Sequence, residues 1–246
     1  MKAAPADQQR LLELQELDSA LGRLAHRRRA LPERAVLADL GQRLDALDDE
    51  AVVARTEVAD LARAQAKIDA DVEVVRARMV RDQQRLDVGA ASPKELVDLQ
   101  SEVASLRRRQ GVLEDSELEV MEIRESAEGR LAAVDVARAE AETARAAAQE
   151  RLAAGEAEID TEAALTSTRR GQVAPQVPAD LLAVYDKVRA ASGGVGAAAL
   201  LRRRCEGCHL ELAGSELRAV VAAAPDDVLR CENCRRILVR TPESGL

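Results

Sequence analysis

Leu37-Ala38-Asp39-Leu40-Gly41-Gln42-Arg43-Leu44-Asp45-Ala46-Leu47 opens the stretch that decides the fold. Apolar residues recur there at alternating spacings of three and four. The alternation continues unbroken through Ala51, Ala54, Val58, Leu61, Gln65, Ile68, Val72, Val75, Met79, Asp82 and Leu86. Thirteen of these fifteen positions are apolar, so seven heptads share one phase and a coiled-coil seam is expected.

Upstream, Leu14, Leu17, Leu21, Leu24 and Leu31 form a shorter helical stripe in a different phase. Pro32 sits at the phase break and is expected to interrupt or kink the helix. Downstream, Val88-Gly89-Ala90-Ala91-Ser92-Pro93-Lys94-Glu95 reads as a turn. Ser92 suits an N-cap, Pro93 the first helical position and Glu95 the return bond of a capping box. A second seam follows through Leu96, Leu99, Val103, Leu106, Gln110 and Leu113, and more weakly through Val120, Ala127, Leu131, Val134, Ala141, Ala148, Leu152 and Ile159. Glu117, Arg124, Arg138 and Arg145 interrupt it, so its phase beyond Leu113 stays open at this level. A short turn between long helices makes them antiparallel. The expected first domain, residues 1–170, is a long two-helix coiled-coil hairpin with its tip at 88–93.

Past Arg170 the pattern changes. Residues 171–178, with Gly171, Pro175 and Pro178, read as a linker into a second domain, 171–246. A helix is expected from Asp180 to Ala191, then a glycine turn and a strand over Ala197–Arg204. Ser215 is a candidate cap for a short helix to Ala223, and Ile237-Leu238-Val239 is a last strand.

The four cysteines of the chain form two pairs, Cys205-Glu-Gly-Cys208 and Cys231-Glu-Asn-Cys234, separated by 22 residues. Two such knuckles facing one another make a thiolate tetrahedron, which suits one structural Zn2+ with no open position for catalysis. Paired disulfides would need an oxidising compartment, and the N-terminus carries no apolar leader. A redox CxxC belongs beside a βαβ pattern, which is absent. His209 reads as a bystander beside a complete ligand set.

Composition agrees with a helical molecule. There is no Trp or Phe and one Tyr, Tyr185, which argues against a large globular core. The formal charge is -8, with residues 1–170 at -9 and residues 171–246 at +1. No apolar run is long enough to span a bilayer. A cytoplasmic protein without membrane contact is expected.

The Ser92–Glu95 tip with Leu99, Glu102 and Leu106, the Leu181–Val188 helix with its glycine turn, and the two cysteine pairs continuing as Arg235-Arg236-Ile237-Leu238 together carry a resemblance. The chain resembles the bacterial C4-type zinc-ribbon proteins built on a long coiled-coil hairpin. That resemblance covers essentially the whole chain. It implies a mainly α fold, a hairpin followed by a small four-cysteine ribbon, and predicted nucleic-acid binding. A flagellar-regulatory member of the family is an adaptor that binds the sigma-N factor and a flagellin message. The family carries Gly after the last cysteine, where this chain has Arg235, and an apolar or aromatic residue near the final strand, here Val239.

No enzyme constellation appears: there is no phosphate-binding glycine loop, and His26 and His209 are the only histidines. No small-molecule substrate is expected. The favoured reading is a zinc-binding adaptor for a protein partner, with tip residues Asp82, Asp87, Lys94, Glu95 and Asp98 as the first surface to test. Nucleic acid is the sharper alternative, through Arg202, Arg203, Arg204, Arg230, Arg235, Arg236 and Arg240. Those arginines would equally offset the -2 charge of a zinc–thiolate centre, and the chain lacks aromatic stacking platforms. An RNA-polymerase-associated factor acting through the hairpin tip is the third reading.

Overall fold

The computed structural model describes residues 1–89 and 92–246. The order is α1 (Pro5–Arg29), α2 (Glu33–Val88), α3 (Pro93–Val173), a 3-10 turn (Ala174–Gln176), α4 (Ala179–Ala191), β1 (Ala197–Leu201), β2 (Arg204–Cys205), α5 (Gly214–Ala222), β3 (Leu229–Arg230) and β4 (Ile237–Arg240). Pro32 separates α1 from α2 as expected. The fold is a long helical hairpin followed by a small strand-bearing ribbon.

Contacts gather into two compact units, Ala35–Gln149 and Met1–Arg34 with Glu150–Leu246. This partition differs from a division at residue 170. In the first unit the α2 seam positions are buried or half-buried along their whole run, including Gln65. On α3 the heptad phase persists beyond Leu113 through Glu117, Val120, Arg124, Ala127, Leu131, Val134, Arg138 and Ala141. Arg124 and Arg138 keep the seam by packing their stems and pairing their heads, whereas Glu117 stands beside Asp69, and burial and that neighbour raise its pKa. Arg124 Nη1 donates to Gln65 Oε1 at 2.7 Å, so a polar break in one seam meets a polar break in the other. Arg138 pairs with Asp48, and Arg55 with Asp135 at 3.0 Å.

The expected tip turn includes Ala90 and Ala91, which lie outside the described residues. On either side of them, Gly89 adopts φ +65° and Ser92 caps α3. Ser92 N–H donates to Glu95 Oε2 at 2.8 Å, and Glu95 N–H donates to Ser92 Oγ at 3.4 Å, which is the expected capping box.

The other unit joins α1, the end of α3, α4 and the ribbon. Its sheet has the order β2-β1-β4-β3, with β1 and β4 parallel and both edge pairs antiparallel. Leu11 and Leu14 of α1 are fully buried in one core with Val173, Val177, Leu181, Tyr185, Ile237 and Val239. The stretch 171–178 is therefore not a free linker: α3 runs to Val173, and Val173 and Val177 are both buried. The first strand ends at Leu201, not Arg204, because the chain turns at Arg202-Arg203. Ser215 does not cap α5; the N-cap is Ala213, and the helix starts at Gly214 with φ +57°.

Candidate functional site: a four-cysteine metal centre

Cys205 lies on β2, opposite Leu200 of β1, and Cys231 follows β3. The sheet thus brings together two knuckles that are far apart in sequence. Each closes in the same way. His209 N–H donates to the Cys205 carbonyl at 2.7 Å, and Arg235 N–H to the Cys231 carbonyl at 2.9 Å. Both residues have left-handed backbones, with φ of 60° and 64°. Both positions need positive φ, which glycine would adopt without strain.

The four sulfurs lie within 4.8 Å of one another. The pairs Cys205–Cys234 and Cys208–Cys231 stand at 3.8 Å, and all four thiols are free. A disulfide holds its sulfurs near 2.05 Å. A Zn–S distance of about 2.3 Å in a tetrahedron requires sulfurs about 3.8 Å apart. The cysteines are positioned to bind one metal ion, and the donor set fits a structural Zn2+. His209 is exposed and stands outside the cluster.

Electrostatics point the same way. Burial pushes the Cys205 thiol up to about 12, against backbone N–H groups of Gly207 and Cys208 that favour its thiolate. Burial also raises Cys231. At Cys234 burial is outweighed by the Arg236 backbone N–H and neighbouring groups, which hold it below the usual thiol value. A bound dication would reverse the penalty of gathering these thiolates and release their protons. Leu200, Leu212, Val220 and Leu238 wall the centre from water. Glu216, buried on α5, accepts from the Glu232 backbone N–H at 2.8 Å and steadies the second knuckle.

The ribbon arginines fall into two groups. Arg236 donates to the carbonyls of Val195, Gly207 and Ser192, and Arg240 to those of Ala223, Ala224, Pro225 and Asp227. These two fasten loops together. A side chain at Gly207 would place its Cβ 2.7 Å from Arg236 Cδ, so it would displace the Arg236 anchor. Arg202, Arg203, Arg204, Arg230 and Arg235 are exposed, though Arg203 Nε also donates to the Gly245 carbonyl at 2.9 Å. Arg202 and Arg203 form the two-residue turn of the β1–β2 hairpin with φ of 46° and 61°. Their backbone N–H groups donate to the carbonyls of Glu243 and Ser244. Arg204 pairs with Glu206 at 3.3 Å.

At the tip, Asp87 accepts from Gln83 Nε2, and Glu95 is engaged in the capping box, which holds its carboxyl below the usual range. Asp82 lies between Arg78 and Arg85. Lys94 and Asp98 are exposed.

Sequence reasoning overlooked a second polar cluster. Asp18, with its side chain 1% exposed, accepts from Arg170 Nε at 2.7 Å and from the Tyr185 hydroxyl at 2.8 Å, and pairs with Arg189 at 2.6 Å. Gln15 accepts from the Gly196 backbone N–H at 2.6 Å. Lone polar residues on α1 gave no sign that they would be buried.

The family profile described as a CT398-like coiled coil hairpin domain matches residues 14–193, and that of a C4-type zinc ribbon domain matches residues 204–238. An uncharacterized protein of Mycobacterium tuberculosis is 38% identical over 240 residues, covering 98% of both chains. A solved structure from Mycobacterium smegmatis shares 34% identity at a TM-score of 0.87, covering 98% of this chain and 100% of that one. CT398 from Chlamydia trachomatis shares the fold, with a TM-score of 0.71 at 19% identity over 96% of this chain and 98% of its own. Among the described residues no helix is long and apolar enough to cross a membrane.

Proposed function

Because this chain belongs to the CT398-like coiled-coil hairpin family and carries a C4-type zinc ribbon, we propose that it is a non-enzymatic, zinc-stapled adaptor of the cytoplasm. Its ribbon contacts nucleic-acid phosphates, and its hairpin flanks engage a protein partner. The observation that carries this reading is conformational. Among the described residues four non-glycine side chains stand on left-handed backbones: Arg202, Arg203, His209 and Arg235. All four are exposed basic-type residues in the ribbon. Such backbones cost an L-residue about 1–2 kcal/mol, and Gly or Asn fills them at less strain. Keeping arginine at three such places supports a use for its charge, since strained positions gather at functional sites. Charge offset at the metal is a sufficient reason for Arg235, next to Cys234. It is a weaker one for the Arg202-Arg203 turn.

The test removes charge while relieving strain. Arg202→Asn with Arg203→Gly supplies the preferred residues of a type I′ hairpin turn. Binding of RNA and DNA oligonucleotides is followed by fluorescence anisotropy over a salt series. The expected outcome is steeply salt-dependent binding that weakens in the double variant, with a salt slope shallower by up to about 2, and a folded ribbon in which relieved strain offsets the lost Arg203–Gly245 hydrogen bond. Unchanged affinity in that variant would overturn the ribbon contact. Affinity purification with and without nuclease then separates a directly bound protein partner from one bridged by nucleic acid.

A further inference from the structure

The Asp18 cluster forms one wall of a cleft of about 1060 Å3 that is separate from the metal centre. The cleft lies within the unit formed by α1, the end of α3, α4 and the glycine turn after α4. Three guanidinium groups line it, Arg23 from α1, Arg170 from α3 and Arg189 from α4. Asp18 is the one carboxylate among the lining residues, which leaves a local charge of +2 in a chain of net -8. Asp186, outside the lining, touches Arg170 Nη2 at 3.4 Å.

With Asp186 counted, three cations face two carboxylates and the excess is +1, carried by Arg23; Arg170 and Arg189 are paired yet keep unused N–H donors. Asp18 takes Nε and Nη2 of Arg170 and Nη1 of Arg189. That leaves Nη1 of Arg170, and Nε and Nη2 of Arg189, for another acceptor. Among the described residues Arg23 makes no ion pair and is exposed. Leu21, Gly22 and Val195 supply apolar wall, and Gly193 and Gly194 add backbone without side chains. The volume lies just above the usual range of small-molecule sites, roughly 300–1000 Å3.

We infer that this cleft binds a phosphate ester of nucleotide size, with the phosphate on Arg23, Arg170 and Arg189 and the organic body along Leu21, Gly22 and Val195. The number of forked donors favours phosphate over a single carboxylate: three guanidinium groups face one site, and a phosphate offers three strong acceptors. His26 and Ser19 also line the cleft, and the assignment gives the site binding and no reaction. It does not rest on the nucleic-acid reading of the ribbon.

The test is calorimetric titration of the zinc-loaded full chain with ADP, pyrophosphate and adenosine as probes. ADP is expected to bind saturably at one site, pyrophosphate more weakly, and adenosine not at all. Arg23→Ala should weaken ADP binding about tenfold or more, the loss of one charge-assisted contact. Gly22→Leu is the second variant. A Cβ there meets nothing within 4 Å, so the larger side chain should keep the helix intact while filling the cleft and abolishing binding. Helical circular dichroism verifies that both variants fold. Absence of saturable ADP binding, adenosine binding as tightly as ADP, or ADP binding indifferent to both substitutions would each overturn the assignment.

Discussion

At residue scale, identity and backbone conformation disagree at instructive places. The cysteines declare themselves by spacing, and the structure brings them to a tetrahedral separation. Arg235 and His209 look unremarkable in sequence, yet each closes a knuckle at positive φ. Arg235→Gly should therefore stabilise the ribbon by about 0.5–1 kcal/mol, the relief of left-handed strain less the extra unfolded-state entropy of glycine. A higher urea midpoint at unchanged slope is the measurement; a lower one would show that the side chain holds more than the strain costs. Tyr185, fully buried, gives a pH prediction. Burial first, then its hydrogen bond to Asp18, raises its pKa above the usual tyrosine value. The folded state keeps the proton that the unfolded chain releases above pH of about 10, so stability is full below that pH and falls as pH rises past it. Tyr185→Phe should lose about 1.5–3 kcal/mol near neutrality, as a hydrogen bond to a charged group is removed. It should also flatten the decline between pH 9 and 11, in urea melts followed at each pH. An equally steep decline in the variant would reject the assignment.

At the scale of elements, short-range chemistry is legible at the hairpin tip, though not at Ser215, where α5 begins one residue earlier at a left-handed Gly214. The Ser92-Pro93-Lys94-Glu95 cap forms as its residue types require. Ser92→Ala should cost about 1 kcal/mol and speed hydrogen exchange in the first turn of α3 before exchange elsewhere. The α3 seam was harder to read, because Glu117, Arg124 and Arg138 mask its period. Arg124 and Arg138 belong to the seam because long side chains bury their stems while their heads find partners across the hairpin. The Gln65–Arg124 pair is placed to hold the register of the two helices, as buried polar pairs do in coiled coils. Replacing both residues by leucine should raise the melting temperature of the hairpin and weaken its register. Disulfide trapping between cysteines placed at in-register and shifted positions would measure that; an unchanged trapping pattern would dismiss the pair as a register device.

For the whole molecule, the decisive fact is that α1 supplies Leu11 and Leu14 to the core that also holds Ile237 and Val239. The two ends of the chain fold as one unit, with Ala3 N–H donating to the Asp226 carbonyl at 2.8 Å. Removing zinc with a chelator should therefore loosen more than the ribbon. Hydrogen exchange is expected to rise in residues 1–34 and 179–246 while protection within 35–149 persists. Protection lost uniformly along the chain would contradict two separately stable units; loss confined to 204–238 would show that the shared core survives without metal.

The sequence by itself determined the hairpin, its interruption at Pro32, the α3 cap and the metal-ligand set. Each of these rests on periodicity or on residues a few positions apart, where chemistry is legible without knowing the rest of the chain. Tertiary structure alone decided which helices share the ribbon's core, which arginines fasten loops and which stay exposed, and that Asp18 is buried between two cations. Those outcomes depend on partners outside the local stretch, from 13 positions apart for Arg240 and Asp227 to 152 for Asp18 and Arg170. Packing sets desolvation at such sites, and desolvation makes a buried carboxylate demand the partners that shape the cleft.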